Sequence, residues 1–383
     1  MKTWFRAHLQ PNDILFVNKG TPGRVCLVPD PVNFCAAQDM MGFRCDKNKI
    51  NYKYLFAVLR SDEIQKTIEN NHVGLVIPHF RKQDLPSLMI PMRSPEEQEA
   101  IGNLYITLSE KIELNQRINA ELESMAKTLY DYWFVQYATP SAFGTSPKWD
   151  MEALQDSQNS PVPFGGGRVG VGGLVWNEAL KREIPLGWKN GTLSDLGTIT
   201  GGSTPSKEVD EYFTNNGMAW ITPKDLSLNS GNKFITKGEL DVSEKGIKAA
   251  SLTIMPKGTI LLSSRAPIGY MAIAREEVTT NQGFKSFVPD KGYSIPFIYY
   301  TVKNAIPTII NHSSGSTFKE VSTSVLKSIS ICLPPVSIAE KYKEAVDAIF
   351  ERQNKLELES QTLTELRDWL LPLLMNGQAT IHE

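Results

Sequence analysis

The stretch Ile14-Leu15-Phe16 followed by Lys19-Gly20-Thr21-Pro22-Gly23 recurs as Ile260-Leu261-Leu262 followed by Arg265-Ala266-Pro267-Ile268-Gly269, at an offset of 246 residues. The echo continues: Phe80 with Phe318, Leu88 to Pro91 with Ile331 to Pro334, Leu122-Glu123-Ser124 with Leu358-Glu359-Ser360, and Trp133 with Trp369. The offset drifts only from 246 to 236 and the order of elements is kept, as in divergent copies of one domain. Each copy ends in a long amphipathic segment, so two modules held apart on helices suggest a ruler.

A chain of 383 residues with 41% hydrophobic residues suits two soluble domains and their connections. No apolar run approaches the roughly 18 residues of a membrane span, and Met1-Lys2-Thr3-Trp4-Phe5-Arg6 lacks the apolar stretch of a secretory signal. The expected compartment is the cytoplasm. Cys26, Cys35, Cys45 and Cys332 show neither a C-x-x-C pair nor metal-finger spacing, and the histidines form no H-E-x-x-H pattern, so no metal site is expected. The net charge of −2 is unevenly spread: residues 94–137 carry −5 and residues 336–371 carry −3, leaving +6 elsewhere. Acidity belongs to the helices, and the modules are basic enough to face phosphate.

Both helices announce their start with the same device. Ser94-Pro95-Glu96-Glu97 has a serine cap, proline at the first helical position and glutamate at the third, where cap and glutamate satisfy each other's free amides. Ser337-Ile338-Ala339-Glu340 repeats the cap and the glutamate. Beyond the first cap, Ile101, Leu104, Leu108, Asn115, Ile118, Leu122, Met125, Leu129 and Tyr132 follow a 3-4 spacing; Tyr342, Ala345, Ile349, Leu356, Leu363, Leu366, Leu370 and Leu373 do so in the second helix. Such spacing predicts coiled-coil packing, with Asn115 fixing the register. About 40 residues make a rod of roughly 60 Å.

Between the first helix and the second module, Ala138 to Pro185 is rich in Ser, Pro, Gly and Asn. Its Gly165-Gly166-Gly167-Arg168-Val169-Gly170 formally satisfies the dinucleotide fingerprint, but without the flanking strand and helix it reads as linker. The modules themselves read as mixed α/β, with strands such as Thr259 to Ser263, Tyr270 to Ala274 and Ile329 to Leu333, and helices at Tyr52 to Arg60 and Pro296 to Asn304. Trp188 lies 72 residues before Ile260, whereas only 13 residues precede Ile14. The first copy is therefore expected to be N-terminally truncated by about 59 residues relative to the second.

Signatures of catalysis are missing. There is no phosphate loop, no Asp-Pro-Pro-Tyr or Asn-Pro-Pro-Phe segment of the amino-methyltransferase kind, and no plausible triad. What remains are polar, glycine-containing loops suited to reading DNA. Gly201-Gly202 with Ser203, Thr204, Ser206 and Lys207 offers small donors and close backbone approach. Asn281 and Gln282 supply amides of the kind that bind adenine, beside Lys285. A third loop carries Ser314, Ser316, Thr317 and Lys319, echoed in the first module by His79 and Arg81; Lys19, Lys224 and Arg265 complete the candidate DNA-binding set.

Several segments resemble the DNA-specificity (S) subunits of type I restriction-modification enzymes: Ile184-Pro185-Leu186-Gly187-Trp188, Gly201 to Ser206, Trp220-Ile221-Thr222-Pro223-Lys224-Asp225-Leu226, Gly258 to Arg265 with Ile268-Gly269, Asn281-Gln282-Gly283-Phe284, and Gly315-Ser316-Thr317 leading into Leu333-Pro334-Pro335. Leu129 to Gln136 and Val175 to Pro185 are similar to the same family, so the likeness covers nearly the whole chain. It implies an α+β chain with two mixed α/β target-recognition domains separated by two long helices packed as an antiparallel coiled coil. The corresponding boundaries are a truncated first domain at 1–93, a spacer helix at 94–137, a linker at 138–184, a second domain at 185–335 and a second helix at 336–376. Helix packing is assigned to Leu108, Asn115, Ile118, Leu122, Leu129, Ile349, Leu356, Leu363, Leu366 and Leu370.

The resemblance also implies a function. A non-catalytic subunit reads a bipartite double-stranded DNA site and docks two methyltransferase subunits and the restriction-translocase subunits. Those partners would hold S-adenosylmethionine, ATP and magnesium, so this chain is expected to bind no cofactor and no metal. The first domain departs from the family pattern in lacking the Pro-Gly-Trp opening and the Gly-rich Thr-Pro loop. Since single-domain subunits of the family pair to restore two readers, truncation would favour a homodimer. The competing reading is a coiled-coil scaffold whose modules bind protein or sugar.

Overall fold

The computed structural model describes residues 8–74, 76–137, 173–313 and 320–381. Helices and strands are mixed as expected for an α+β chain. Two compact units emerge, residues 1–117 with 358–383 and residues 118–357. This division cuts through both long helices, whereas the sequence reading placed its boundaries at their ends.

The first unit is built on a three-stranded antiparallel sheet in the order β2-β1-β3, with β1 at Ile14–Val17, β2 at Val25–Leu27 and β3 at Met40–Phe43. Helices α1 (Tyr52–Leu59) and α2 (Asp62–Asn71) follow, each started by a side-chain cap: Asn51 accepts from the Lys53 and Tyr54 amides, and Ser61 from Ile64. The long helix α3 (Pro95–Tyr130) opens on the expected reciprocal cap, Ser94 N to Glu97 Oε2 at 3.0 Å and Glu97 N to Ser94 Oγ at 3.2 Å. Ile14, Phe16, Tyr54 and Phe80 are fully buried, and Ile101 and Tyr105 of α3 join the core with Leu371 and Leu374 of the last helix. Burying each such side chain contributes roughly 1.5–3 kcal/mol.

The second unit is larger. A hairpin of β4 (Leu174–Asn177) and β5 (Arg182–Pro185) opens it. The Asn177 Oδ1 accepts from the Leu180 amide at 3.0 Å to close the turn, and Lys181 takes the left-handed conformation there. This end of the expected linker is therefore sheet, a correction that follows from turn chemistry overriding composition. The remainder of the linker with its glycine run, residues 138–172, lies outside the described residues. Then come β6 (Lys189–Thr192), β7 (Thr198–Gly201), β8 (Phe213–Thr214), β9 (Met218–Ile221), α4 (Pro223–Leu228), β10 (Phe234–Ile235), β11 (Leu240–Val242) and α5 (Glu244–Ala249). The chain continues through β12 (Ile260–Leu262), β13 (Met271–Ala274), β14 (Thr279–Thr280), β15 (Lys285–Val288), α6 (Ile295–Asn311), α7 (Thr323–Ser328), β16 (Ser330–Leu333) and α8 (Val336–Met375). Two sheets carry the unit, one ordered β10-β13-β12-β15-β7 and one ordered β14-β9-β11-β8. Tyr130, Phe134, Phe297, Tyr300 and Tyr342 pack at its centre; the Phe134 and Phe297 rings meet edge-on at 4.8 Å.

The repeat is written in the backbone. Ile14 pairs with Leu27 and Ile260 with Ile273. The Gly23 amide reaches the Val17 carbonyl at 3.0 Å, as Gly269 reaches Ser263 at 3.1 Å, and both glycines hold positive φ. The Phe80 amide donates to Asn18 O at 2.8 Å, and its counterpart is Val321 donating to Ser264 O at 2.9 Å. The structural mate of Phe80 is thus Val321, not Phe318. Both are fully buried, so burial and hydrogen bonding fix the alignment where aromatic identity misled it.

Within each unit the segments of α3 and α8 run antiparallel. In the first, Asn115 Nδ2 donates to Glu359 Oε2 at 2.9 Å, Lys111 pairs with Glu359 at 3.3 Å, and Arg367 lies over the Tyr105 ring. In the second, Asn119 Nδ2 donates to Glu357 Oε1 at 3.3 Å and Tyr342 OH to Ala126 O at 2.9 Å. The buried stripe of α3 runs through Ile112, Asn115, Asn119, Ala126 and Tyr130. The expected positions Leu108, Ile118, Leu122 and Leu129 are only half-buried, and Met125 is exposed. On α8, Leu356 is buried, Ile349, Leu363 and Leu370 are half-buried, and Ala345 and Leu366 are exposed. Polar residues occupy the seam, so apolar periodicity pointed to a stripe one residue away. Ser337 is not a cap either: α8 begins at Val336, with Pro335 O accepting from Ile338 N at 2.9 Å.

Candidate nucleic-acid interface

Where β7 ends, the chain must pass against another backbone. A Cβ on Gly202 would lie 2.1 Å from the Thr280 carbonyl oxygen and 2.3 Å from that of Asn281, so only glycine fits. The Ser203 amide donates to Thr280 O at 3.0 Å, and the Trp220 indole donates to Ser203 O at 3.1 Å. On the far side of this loop, the Asn281 amide donates to Ile221 O at 3.1 Å. Thr222 and Asp225 cap α4 reciprocally immediately afterwards. The Asn281 Oδ1 accepts from the Gly283 amide at 2.9 Å, an Asx turn. Ser264 N then donates to Gly283 O at 2.8 Å and Val321 N to Ser264 O. Four loops are thereby laced into one rigid polar surface.

The structure brings Ser203, Thr204, Arg265, Asn281, Gln282 and Lys285 to these loops. Thr204 Oγ1 is hydrogen bonded to Gln282 Oε1. Lys285 Nζ donates to Phe284 O at 3.3 Å. Arg265 pairs with Glu320 at 3.1 Å, and Lys224 with Glu239 at 2.6 Å, an exposed bond that raises the lysine's pKa. Exposed pairs of this kind are worth little, so a phosphate can replace the carboxylate at small cost. Ser206 and Lys207 stand exposed further along the β7 loop. Ser314, Ser316, Thr317 and Lys319 lie outside the described residues. In the first unit the Lys19 backbone bridges His79, whose Nε2 lies 3.2 Å from Asn18 Nδ2. Arg81 holds Asp84 through two bonds at 2.8 and 3.1 Å and keeps that carboxyl below its usual pKa.

Sequence reasoning missed Gly202 and Trp220 as the supports of the surface, although both lie in quoted motifs. It also missed Lys233, which is buried and donates to Glu123 at 2.7 Å, Gln353 Oε1 at 2.6 Å and Tyr300 OH at 3.0 Å. Arg275 pairs with Glu357 at 2.8 Å beside it. Burial would raise the Glu123 carboxyl, but Lys233 and Lys303 outweigh it and hold it at about 2. Burial lowers Lys233 to about 8 against the pull of Glu123. No sequence signature marks a lysine of this kind in a turn. Among the described residues no group of three or more His, Cys, Asp or Glu could hold a metal ion, and no helix is long and apolar enough to cross a membrane.

The sequence matches the family described as type I restriction modification DNA specificity domain over residues 7–124 and 185–367. It is 39% identical over 196 residues to the type I restriction enzyme MjaIX specificity subunit of Methanocaldococcus jannaschii, a match spanning 49% of this chain and 45% of that protein. It is 28% identical over 411 residues to the HindI specificity subunit of Haemophilus influenzae, covering 97% of this chain and 87% of that one. In fold it is similar to the S subunit of a type I restriction-modification system from M. genitalium, with a TM-score of 0.56, 18% identity, and coverage of 96% of this chain and 83% of that one. The chain belongs to the type I restriction-modification DNA specificity family, as a non-catalytic specificity subunit.

Proposed function

We propose that this chain reads a bipartite double-stranded DNA site, each unit facing one half, and that the paired helices set the spacer between the halves as an antiparallel coiled coil. The observation that carries this reading is the laced loop surface of the second unit. Rigid backbone presents amide, hydroxyl and cationic side chains together, as direct base readout and phosphate anchoring require. Catalysis belongs to partners: two methyltransferase subunits using S-adenosylmethionine for adenine N6 transfer, and restriction-translocase subunits using ATP and magnesium. Leu114, Leu358, Leu366 and Trp369, all exposed on the helices, supply apolar anchors of the kind that fill partner pockets. Homodimerisation is a further part of this reading if the first domain is truly truncated. The cytoplasm is the proposed compartment.

Mapping methylated adenines genome-wide with and without the gene tests the proposal. Loss of one bipartite motif on deletion is the expected result. Binding that ignores sequence in the presence of the methyltransferase partner, and that does not fall steeply with salt, would instead favour a scaffold whose modules bind protein or sugar.

A further inference from the structure

The backbone equivalence of the two units singles out a residue that sequence motifs do not. Ser264 N donates to Gly283 O at 2.8 Å, and its counterpart Asn18 N donates to Asp39 O at 3.1 Å. Phe287 pairs with Ile260 and Phe43 with Ile14, which sets the local offset at 244. At that offset Gln282 corresponds to Gln38. Both are exposed, and both stand at a turn before the third strand of the shared frame, β15 or β3.

We propose that Gln282 and Gln38 are equivalent base-reading residues, one in each unit, and that each recognises an adenine in its half of the site. This rests on the DNA-reading function proposed above. A side-chain amide has two donors and a carbonyl with two lone pairs. Thr204 occupies one lone pair of Gln282, leaving a lone pair and both N–H groups. That set matches the N6 donor and N7 acceptor of adenine in the major groove. Asn281, the neighbouring amide, is the poorer candidate: its side chain is folded back to accept from the Gly283 amide and close the turn, and it is only half-exposed where Gln282 is exposed. The loop beneath Gln282 is pinned at Asn281 N and at Gly283 on both its amide and its carbonyl. The side chain is thus presented from fixed backbone with its rotamer held by Thr204, a positioning residue. Among the described residues of the first unit no such hydroxyl bonds Gln38, so Gln38 should discriminate less sharply.

The test is selection of bound duplexes from a randomised pool by the full chain with its methyltransferase partner, for the natural protein and for Gln282→Ala, Gln38→Ala, Thr204→Val and Thr204→Ser. Gln282→Ala should flatten preference at one adenine·thymine pair by about ten- to a hundredfold while the rest of the motif stands. Gln38→Ala should flatten a different pair, in the other half, by less. Thr204→Val should soften the Gln282 position and Thr204→Ser should restore it, a pattern that loss of folding would not produce. Gln282→Glu should move preference at its pair toward cytosine, whose N4 group donates. If the natural protein selects a motif that either alanine variant leaves intact, or if both variants flatten the same pair, the inference is overturned and DNA reading stands. If the natural protein selects no motif, DNA reading falls and takes the inference with it.

Discussion

The two units share a frame and differ in what is built on it. The order β2-β1-β3 of the first is the order β13-β12-β15 of the second, register included, but the second adds β10 at one edge and β7 at the other. It also adds a four-stranded sheet. Among the described residues the first unit has no counterpart of these. Beyond Phe43 it has instead a cavity of about 570 Å³ lined by Asp13, Arg44, Cys45, Asn51 and Gln98. Beyond the equivalent Phe287, the second unit packs Gly197 so tightly that a Cβ there would sit 2.1 Å from Val288 O. The comparison teaches that the three strands are scaffold, while Gly202, Thr204 and Trp220, which shape the polar surface, all come from the added parts.

The seams between helices differ in the same direction, and the largest predicted effect lies there. In the second unit, Lys233 and Glu123 form a charged pair inside a network that includes Gln353, Tyr300, Glu357 and Arg275. Lys233→Ala leaves Glu123 with Lys303, at 2.6 Å, as its remaining cation, so the loss should fall at the low end of the range, about 3–5 kcal/mol, that breaking a buried pair outright costs. Native-state hydrogen exchange should show protection falling at amides of α6 and the start of α8, with those of β1 to β3 unaffected. Equal loss in both units would break the distinction.

Acid should find the same network next. Glu123 is held at about 2, below its ordinary 4.5. A depressed carboxyl binds fewer protons when folded, so its stabilisation is complete above about 4.5 and is lost as pH falls through about 2. The whole shift is worth at most about 3 kcal/mol. Melting of the second unit followed between these pH values should show that loss, and Glu123→Gln should flatten the dependence. A profile unchanged by the substitution would mean that other carboxylates govern the acid limb.

Smaller effects are expected where the two frames present equivalent cations. Arg265 and Lys19 occupy matching positions, both exposed. Alanine at either should weaken binding to every sequence alike and lower the slope of log affinity against log salt by about 0.9, one phosphate's worth. If Arg265→Ala does so and Lys19→Ala does not, only the second unit grips the backbone, and the comparison sharpens into a division of labour.

How much of this was legible in the sequence follows the same physics. The repeat was visible because Gly23 and Gly269 must hold positive φ and because the apolar strand before each of them must be buried. The candidate surface was visible only in part: Gly202 and Asn281 stood in quoted motifs, but sequence cannot tell an asparagine that closes a turn from one that reads a base. Gln38 went unnoticed because its neighbours Ala37 and Asp39 share no identity with Asn281 and Gly283, and only backbone bonds reveal the match. The helix seam was misplaced by one residue because hydrophobic spacing cannot register the buried Asn119 and the half-buried Glu123 as seam positions. Their partners, Glu357 and Lys233, lie more than a hundred residues away in sequence.

The smallest predicted effect tests the comparison hardest. Lys111 and Glu359 bridge the same two helices in the first unit at 3.3 Å, but their side chains keep 43% and 44% of their exposure. Water solvates both charges whether or not they meet, so the pair gains little over its separated ions. Lys111→Ala should therefore change protection of β1 to β3 and α1 by no more than about 0.5 kcal/mol, against several for Lys233→Ala. The same formal interaction, a lysine paired with a glutamate of the two-helix seam, then differs several-fold for one physical reason, the removal of solvent: Lys233 comes from the turn before β10 and is buried, whereas Lys111 stands on α3 in water. A cost for Lys111→Ala comparable to that of Lys233→Ala would show that desolvation does not set the hierarchy, and the contrast between the two seams would have to be abandoned.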